Sequence, residues 1–419
     1  MLTVSSTLRA PQPQEAAASS LSFPQLAFFY VALYLLAVAR AFHRPCVEAL
    51  GADQFAPASD GEDPSSLASR SSYFNWLQFS LSCAYCIATA GLSYVEDNVG
   101  WTIGFGACWA VSVLYLAFFL LGTPTYRAER PLHDIRFAET VQAWTAKVFR
   151  RPKNVDDTER LLSGDEPDED GKEKGLVVKL LPVWVMSLVF AAITAQVTTL
   201  FTKQSSTLDR RLGMGTGLVV PPAALQFFLG VTMVILLPVY DRVFVPLMRR
   251  VTGHHAGLTT LQRIGAGMAT SGVAMVVAAL VEARRLSVAR EAGLVDRPDV
   301  VLPMSLWWIL PQYVVVGVAL VLGNTGLLEF FYDQVPNGLR SVGVALCTSI
   351  FGVGSYASGM LVSATHWATR STGESWFSDN LNQAHIDYFY WLLAGLAALE
   401  VVVFLHFSNR YTYNKKDGL

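Results

Sequence analysis

The sequence predicts an all-α membrane protein, and three observations lead to that prediction. Of the 419 residues, 52% are hydrophobic and only 15% are charged, whereas soluble globular proteins carry about 25% charged residues. The mean hydropathy is +0.37. About nine apolar stretches are long enough to cross a bilayer, since a helix of roughly 20 residues spans the hydrocarbon core. These features favour a bundle of spanning helices surrounded by the lipid bilayer.

The predicted spans combine aliphatic and aromatic residues with few charges. In chain order they cover residues 25–50, 74–95, 101–122, 176–200, 218–239, 261–281, 306–328, 342–365 and 386–407. The first runs from QLAFFYVALYLLAVARA directly into the charged segment FHRPCVEALGADQF, residues 42–55. Charges at such a place indicate either a membrane–water boundary or part of a transport pathway.

A polar segment divides these spans into a group of three and a group of six. Residues 123–175 run from TPTYRAERPLHD to LLSGDEPDEDGKEKG, and their second half is acidic and poor in aromatic residues. That composition is typical of a disordered linker, here preceded by a short amphipathic stretch. We therefore predict a partial N-terminal helix bundle in residues 1–122, a partly disordered cytoplasmic linker in 123–175, and a six-helix bundle with a short cytoplasmic tail in 176–419.

The basic residues of the connections predict the orientation, because cytoplasmic loops are enriched in Lys and Arg. The linker and the connection after the fifth span carry Arg127, Arg130, Arg136, Lys147, Arg150, Arg151, Lys153, Arg242, Arg249 and Arg250. Both segments fall on the same side if the helices alternate, and we expect that side to be cytoplasmic. A predicted outer loop at residues 282–299 is the exception, since it carries Arg284, Arg285, Arg290 and Arg297.

Charge and cysteine content exclude several classes of protein. A net charge of −2 argues against a nucleic-acid partner. The five cysteines lie in or beside apolar runs, where disulfides and metal sites are not expected, so the sequence predicts no metal and no cofactor. The spans show no catalytic constellation such as paired Asp or H-E-x-x-H, so an enzyme is not predicted.

A series of motifs carries a resemblance to a known family. The segments include HRPCVEALGADQF, SSYFNWLQFSL, VEDNVGWTIGFG, LPVYDRVFVPLMRRVTG, LTTLQRIGAGM, ILPQYVVVG, LEFFYDQVPNGLRSVGVAL and LNQAHIDYFYWLLA. With these motifs in this order, the chain resembles the plant nitrate/peptide transporter family, a branch of the proton-coupled oligopeptide transporters within the major facilitator superfamily. The resemblance places the segments on helices four to twelve of twelve, and thus implies a major facilitator-type bundle in an N-terminally truncated member.

The resemblance also implies candidate site residues. The family places a Lys in its fourth helix at the position of Arg44, which keeps the positive charge but does not exchange protons readily. Arg44 is then a fixed anion-binding charge, or else it ends a helix at a wet boundary together with Arg40 and His43. Glu48 lies four residues later on the same helical face and is expected to pair with Arg44.

Other polar residues fall at family positions inside apolar spans. Gln196, Gln312, Tyr313 and Thr194 are candidate substrate-binding residues, with helix–helix hydrogen bonding and interface anchoring as the alternatives. Asp241 with Arg242, and Asp333 with Arg340, resemble gating ion pairs of the superfamily, with loop capping as the alternative. Glu400 lies in LAALEVVVF and is expected to have a partner on an adjacent helix.

Proton coupling is the function that the residues support least. The resemblance implies protons as a partner, but the family's E-x-x-E-R motif occurs nowhere in the sequence, and the family's acidic residue of helix ten falls on Leu320. We therefore predict transport of a small solute, such as nitrate, a di- or tripeptide or another small organic anion, by alternating access. The alternative is a truncated, non-transporting member. The sequence leaves open whether the membrane is the plasma membrane or the vacuolar membrane.

Overall fold

The computed structural model describes residues 23–55, 64–126, 180–211, 220–252, 258–335, 339–370, 376–378 and 380–409. Of the predicted linker, only residues 123–126 belong to these ranges, and the rest of it lies outside the described residues. The C-terminal tail after residue 409 also lies outside them.

The described chain is helical almost throughout. The α-helices are α1 (Phe23–Asp53), α2 (Pro64–Ile87), α3 (Ser93–Asn98), α4 (Trp101–Gly122), α5 (Leu188–Ala195), α6 (Leu200–Ser206), α7 (Phe227–Val239), α8 (Val245–Thr252), α9 (Thr260–Glu291), α10 (Leu310–Asp333), α11 (Arg340–Thr369) and α12 (Ile386–Ser408). π-helical turns at Ala88–Leu92 and Tyr240–Phe244 connect α2 to α3 and α7 to α8. Residues 180–186 form a further helical stretch before α5.

Eight helices of the described residues are long and apolar enough to cross a membrane. They match eight of the nine predicted spans. The remaining prediction, residues 74–95, falls on α2 and the π-turn that follows it. This segment is helical, but it carries more polar side chains than the other spans. Several of these side chains face the helices that follow the predicted linker.

Helix α9 is the centre of the C-terminal half. It packs along α10 and α12, while α5 packs against α11 and α7 against α10. Gly267 of α9 and Gly323 of α10 bring their two backbones into direct contact, since a Cβ on Gly267 would meet the Cα and N of Gly323. Small residues at such a crossing allow the close approach that membrane helices use for packing.

The ends of α9 explain one difference from the prediction. The helix begins with a capping box, in which Thr259 and Gln262 exchange hydrogen bonds of 3.3 Å and 3.1 Å. It continues to Glu291, so residues 282–291 are helical and the predicted outer loop of residues 282–299 starts only at Ala292. The prediction was wrong because it treated Glu282 and Arg285 as solvent-facing charges, whereas both are fully buried and paired.

The helices before the predicted linker lie against the helices that follow it. Helix α1 packs on α11, and α2 packs on α7 and α10. We call the end of the bundle with Asp53, Asp241 and Arg340 the basic end, because the arginine-rich connection after α7 lies there; the sequence predicts it to be cytoplasmic. At the opposite end, a short parallel pairing joins β1 (Leu208–Asp209) to β2 (Leu302–Ser305).

Candidate functional site

A cavity of about 500 Å³ lies between the first helices and the C-terminal half. Helices α1 and α2 form one side. The other side is formed by the fourth span (Leu180–Ser206) together with α7 and α10. A cavity at the junction of two helix groups is the usual position of a substrate site in transporters built from paired bundles.

The positive charge of the cavity comes from α1. Arg40, His43 and Arg44 line it, and their spacing of three and four residues places them on one face of the helix. The Arg44 Nε donates to Glu48 Oε1 at 2.7 Å, which confirms the predicted pairing. The Arg44 side chain remains 37% exposed and that of Glu48 only 4%. The guanidinium of Arg44 is therefore held from one side, with its remaining N–H groups available to a ligand.

Apolar side chains form half of the remaining lining residues. They are Val47, Leu77, Leu81, Val197, Leu229, Met233 and Leu320. The last of these occupies the position at which the resemblance places an acidic residue. In the described lining Glu48 is thus the one carboxylate, and it is already bound to Arg44.

Neutral polar groups complete the lining. The Gln78 side chain of α2 accepts a 3.2 Å hydrogen bond from Asn324 of α10. Tyr85 of α2 donates a 2.5 Å hydrogen bond to Gln226, next to α7. Thr194 of the fourth span also lines the cavity, and its hydroxyl donates to the Ala191 carbonyl at 2.8 Å. The cavity therefore has hydrogen-bonding groups on both sides, whereas the charged side chains of its described lining all lie on α1.

Three of the predicted substrate-binding residues lie away from this cavity, inside the C-terminal half. Gln196 donates to Ser358 of α11 at 2.7 Å. Gln312 donates to Gln204 at 3.1 Å, and the Tyr313 ring packs on Phe201 with centroids 5.6 Å apart. These contacts agree with the helix–helix alternative for the two glutamines. A role in substrate binding stays a prediction for all three.

The predicted gating residues contact the first helices. Asp241 accepts hydrogen bonds from Asn75 at 2.9 Å and from Ser72 at 3.1 Å. Arg242 lies over the Trp76 ring, 5.1 Å from its centroid. Asp241 and Arg242 thus bind α2 separately, as expected for neighbours that point in different directions on a helix. Their role in gating stays a prediction.

Arg340, of the second predicted pair, likewise contacts the first helices, here at the basic end. Arg340 donates to Asp53 at 2.9 Å, and Tyr332 donates to the same carboxylate oxygen at 2.6 Å. Asp333 is the last residue of α10, next to Tyr332. Asp53 was not predicted as a site residue, although it lies in the GADQF motif that carries part of the resemblance.

Sequence reasoning also missed a buried arginine at the junction. Arg263 of α9 donates to Asn75 of α2 at 2.7 Å and to the Val321 carbonyl at 3.1 Å. It also lies 3.4 Å from Glu329 and over the Tyr240 ring. The signal was the charge within the apolar run LTTLQRIGAGM. A buried arginine needs several partners, and here one of them comes from the first helices.

Comparison with known proteins decides the family. The family model described as the POT family matches residues 1–377. The chain belongs to the POT family. POT-family proteins are transporters, and the chain is accordingly a multi-pass integral membrane protein of a transporter family, as its spans and motifs predicted.

Relatives and solved POT structures agree with this assignment. The chain is 42% identical over 417 residues to Protein NRT1/ PTR FAMILY 5.16 of Arabidopsis thaliana, covering 93% of this chain and 73% of the relative. It is 40% identical over 437 residues to Protein NRT1/ PTR FAMILY 5.12 of the same plant, covering 99% and 78%. The crystal structure of the POT family transporter PepTSo superposes with a TM-score of 0.65 at 18% identity, over 94% of this chain and 80% of that one. The major facilitator-type fold is therefore shared.

Proposed function

We propose that this POT-family protein moves an organic anion with an apolar body across the membrane by alternating access. The cavity between α1, α2 and the C-terminal half is its binding site, and Arg40 and Arg44 bind the negative charge. The observation that carries the proposal is the division of the cavity wall. Two arginines lie on one side, most of the surface of the wall is apolar, and the one carboxylate of the described lining is already paired.

The size of the cavity favours such an anion over nitrate. Nitrate has four non-hydrogen atoms, whereas the cavity measures about 500 Å³ and one water molecule takes up about 30 Å³. A bound nitrate would leave the apolar wall in contact with water. An organic anion covers that wall and gains about 25 cal/mol for each Å² of apolar surface removed from water.

The charge of the cavity disfavours a zwitterionic peptide. The ammonium group of a peptide needs an anionic partner once it leaves water. Glu48 is engaged by Arg44 at 2.7 Å, and Leu320 offers no charge on the opposite wall. A peptide amino group would therefore be desolvated beside two arginines, which opposes binding.

Contacts on either side of the cavity support alternating access. Asp53 and Arg340 connect α1 to α11 at the basic end, and Tyr85 and Gln226 connect α2 to the C-terminal half toward the opposite end. A solute leaves the cavity when one of these sets separates, so the two sets are candidates for alternately closed gates.

Uptake into proteoliposomes containing the full chain tests the proposal. The probe is radiolabelled 4-toluenesulfonate, a permanently charged organic anion that crosses lipid poorly, with nitrate and dialanine as competitors. We expect saturable uptake that dialanine does not inhibit and nitrate inhibits weakly. Arg44→Gln should reduce uptake at least tenfold, about 1.4 kcal/mol of binding. The matched control is Arg284→Gln, because Arg284 is an exposed arginine remote from the cavity.

Two outcomes would count against the proposal. Inhibition by dialanine as strong as by unlabelled 4-toluenesulfonate would favour a peptide carrier. The absence of any uptake by correctly inserted protein would favour the non-transporting alternative.

A further inference from the structure

We propose that Gln78 and Asn324 form a second recognition point in the cavity, which binds a neutral group that both donates and accepts hydrogen bonds, such as a carboxamide. The inference rests on the proposed function, because it narrows the class of organic anion that the same cavity takes. It starts from a contact between two lining residues of different helices. The Asn324 Nδ2 group of α10 donates to the Gln78 Oε1 atom of α2 at 3.2 Å, and both side chains line the cavity.

Each amide of this pair keeps a hydrogen-bonding group for a ligand. A carboxamide side chain has an NH2 group that donates and an oxygen that accepts. The contact between the two amides occupies an N–H of Asn324 and the oxygen of Gln78. The two side chains make no other hydrogen bond within the described residues, so the Gln78 Nε2 group and the Asn324 Oδ1 atom remain. Rotation of both amides by 180° preserves this pattern of one donor and one acceptor, so the pattern is a property of the pair.

The surroundings of the pair make a matching ligand group favourable. Gln78 is only 8% exposed, and Asn324 is half-buried. Leu77, Leu81 and Leu320, which are neighbours of the pair on the same two helices, line the cavity without offering a hydrogen bond. Polar groups that are withdrawn from water in this way cost free energy when they are left unpaired. A purely apolar ligand surface against the pair would incur that cost, whereas a group with its own donor and acceptor would remove it.

Arg263 holds the two helices in the position that brings the pair together. Its Nη2 group donates to Asn75 of α2 at 2.7 Å and to the Val321 carbonyl of α10 at 3.1 Å. Gln78 and Asn324 each follow one of these partners by three residues, which places them one turn further along the same helix face. The pair is thus preorganised, and preorganisation lowers the entropic cost of binding a ligand group.

The pattern of the pair selects the chemistry of the bound group. A ligand carboxamide can accept from the Gln78 Nε2 group through its oxygen and donate to the Asn324 Oδ1 atom through its N–H. A carboxylate has acceptors only and an ammonium has donors only, so each would place like groups face to face at one member of the pair. With its negative charge bound at Arg40 and Arg44, the solute is therefore an anion whose apolar body carries a carboxamide, or a hydroxyl of the same donor and acceptor capacity.

Two matched probes test the inference on the purified full chain by titration calorimetry. 4-Carbamoylbenzenesulfonate and 4-acetylbenzenesulfonate have the same charge and nearly the same shape, but only the first has an N–H donor. We expect the wild type to bind the carbamoyl probe on the order of tenfold more tightly, because the acetyl probe leaves the Asn324 oxygen unpaired. Asn324→Leu and Gln78→Met should each lower this ratio of affinities to about one. Gln383→Leu is the control and should keep the ratio, since Gln383 is an exposed amide outside the cavity.

The ratio of two affinities separates recognition of the ligand from folding, because a misfolded variant loses both probes, and monodispersity of each variant shows that it has folded. Equal affinities of the wild type for the two probes would overturn the inference and leave the proposed function intact, since the pair would then serve helix packing alone. A ratio that stays near its wild-type value in both Asn324→Leu and Gln78→Met would overturn it as well. Absence of binding of either probe by the monodisperse wild type would overturn both the inference and the proposed function.

Discussion

Arg340 at the start of α11 and Asp53 at the end of α1 form an ion pair with an N–O distance of 2.9 Å. The pair connects a helix of the first group to the C-terminal half at the basic end. The Arg340 guanidinium also lies over the Tyr332 ring, 4.8 Å from its centroid. Because both ionic side chains are largely shielded from water, their contact is screened less than a surface pair.

We predict that Asp53→Asn opens the basic end. A hydrogen bond to a charged group contributes about 1.5–3 kcal/mol, so its loss should increase the open population on the order of tenfold. The measurement is the maleimide reaction rate of Val47→Cys, a cavity position, in a chain whose native cysteines are replaced by alanine. Reagent is added on the side of the basic end. The exposed Asp299→Asn is the control, and equal rates in the two variants would contradict the prediction.

A charge placed at Leu320 should change the preference of the cavity. Leu320→Glu introduces a carboxylate on the wall opposite the arginines. We expect 4-toluenesulfonate binding to weaken by at least tenfold, and dialanine binding to become measurable by calorimetry, because the new carboxylate can accept the peptide ammonium. Leu320→Gln keeps the shape without the charge and should show the first effect weakly and the second not at all. Unchanged binding in Leu320→Glu would show that this wall does not face the solute.

The buried pair of α9 should be important for stability. Arg285 donates to Glu282 at 2.6 Å and 2.8 Å, and it also donates to Asn382 and to the Leu381 carbonyl. Glu282→Gln leaves the arginine charge buried, which costs about 3–5 kcal/mol. Thermal unfolding in detergent should therefore shift strongly downward.

The neighbouring arginine provides a control for that experiment. Arg284 pairs with Glu291 at 3.5 Å on an exposed face, and such a pair contributes about 0–1 kcal/mol. Arg284→Gln should leave the unfolding temperature almost unchanged. Similar shifts of the unfolding temperature in both variants would argue that the buried pair of Arg285 contributes no more to stability than the exposed pair of Arg284.

Two glycine substitutions should act in opposite directions. Gly267→Ala places a methyl group against the backbone of Gly323, so α9 and α10 must separate. We expect a destabilisation of about 1–3 kcal/mol. Gly395→Ala in α12 meets nothing within 4 Å and should be neutral or stabilising by about 0.5–1 kcal/mol. Thermal unfolding of the two variants compares them directly, and destabilisation of both would contradict the packing described for α9 and α10.

Sequence reasoning anticipated the spans and one half of the cavity. Apolar length alone predicts where helices cross a membrane, and the spacing of Arg44 and Glu48 predicts their pairing. The direction in which a buried amide points is different, because it depends on the rotation of each helix against its neighbours. The sequence therefore leaves Gln196 and Gln312 open between substrate binding and helix–helix hydrogen bonding, and the structure pairs them with Ser358 and Gln204.

The missed residues have a common physical cause. Asp53, Asn75 and Arg263 find their partners on helices that are distant in the sequence, and no local pattern indicates such a partner. His43 and Arg40 were visible as neighbours of Arg44, but they became cavity residues only when α7 and α10 supplied the opposite wall. The apparent basic loop after residue 282 shows the same limitation, since burial of Arg285 cannot be seen in a count of charges.

The carboxylate of Glu400 has a consequence for the shape of the fourth span. Its Oε1 accepts the backbone N–H of Phe190 at 3.0 Å, in the first turn of α5, directly after the interruption at Ser187. A side chain of α12 thus supplies an acceptor that a continuous helix would supply from its own backbone. The contact fixes the first turn of α5 to α12, one turn before Thr194 of the cavity wall, so α12 sets the position at which this part of the wall begins.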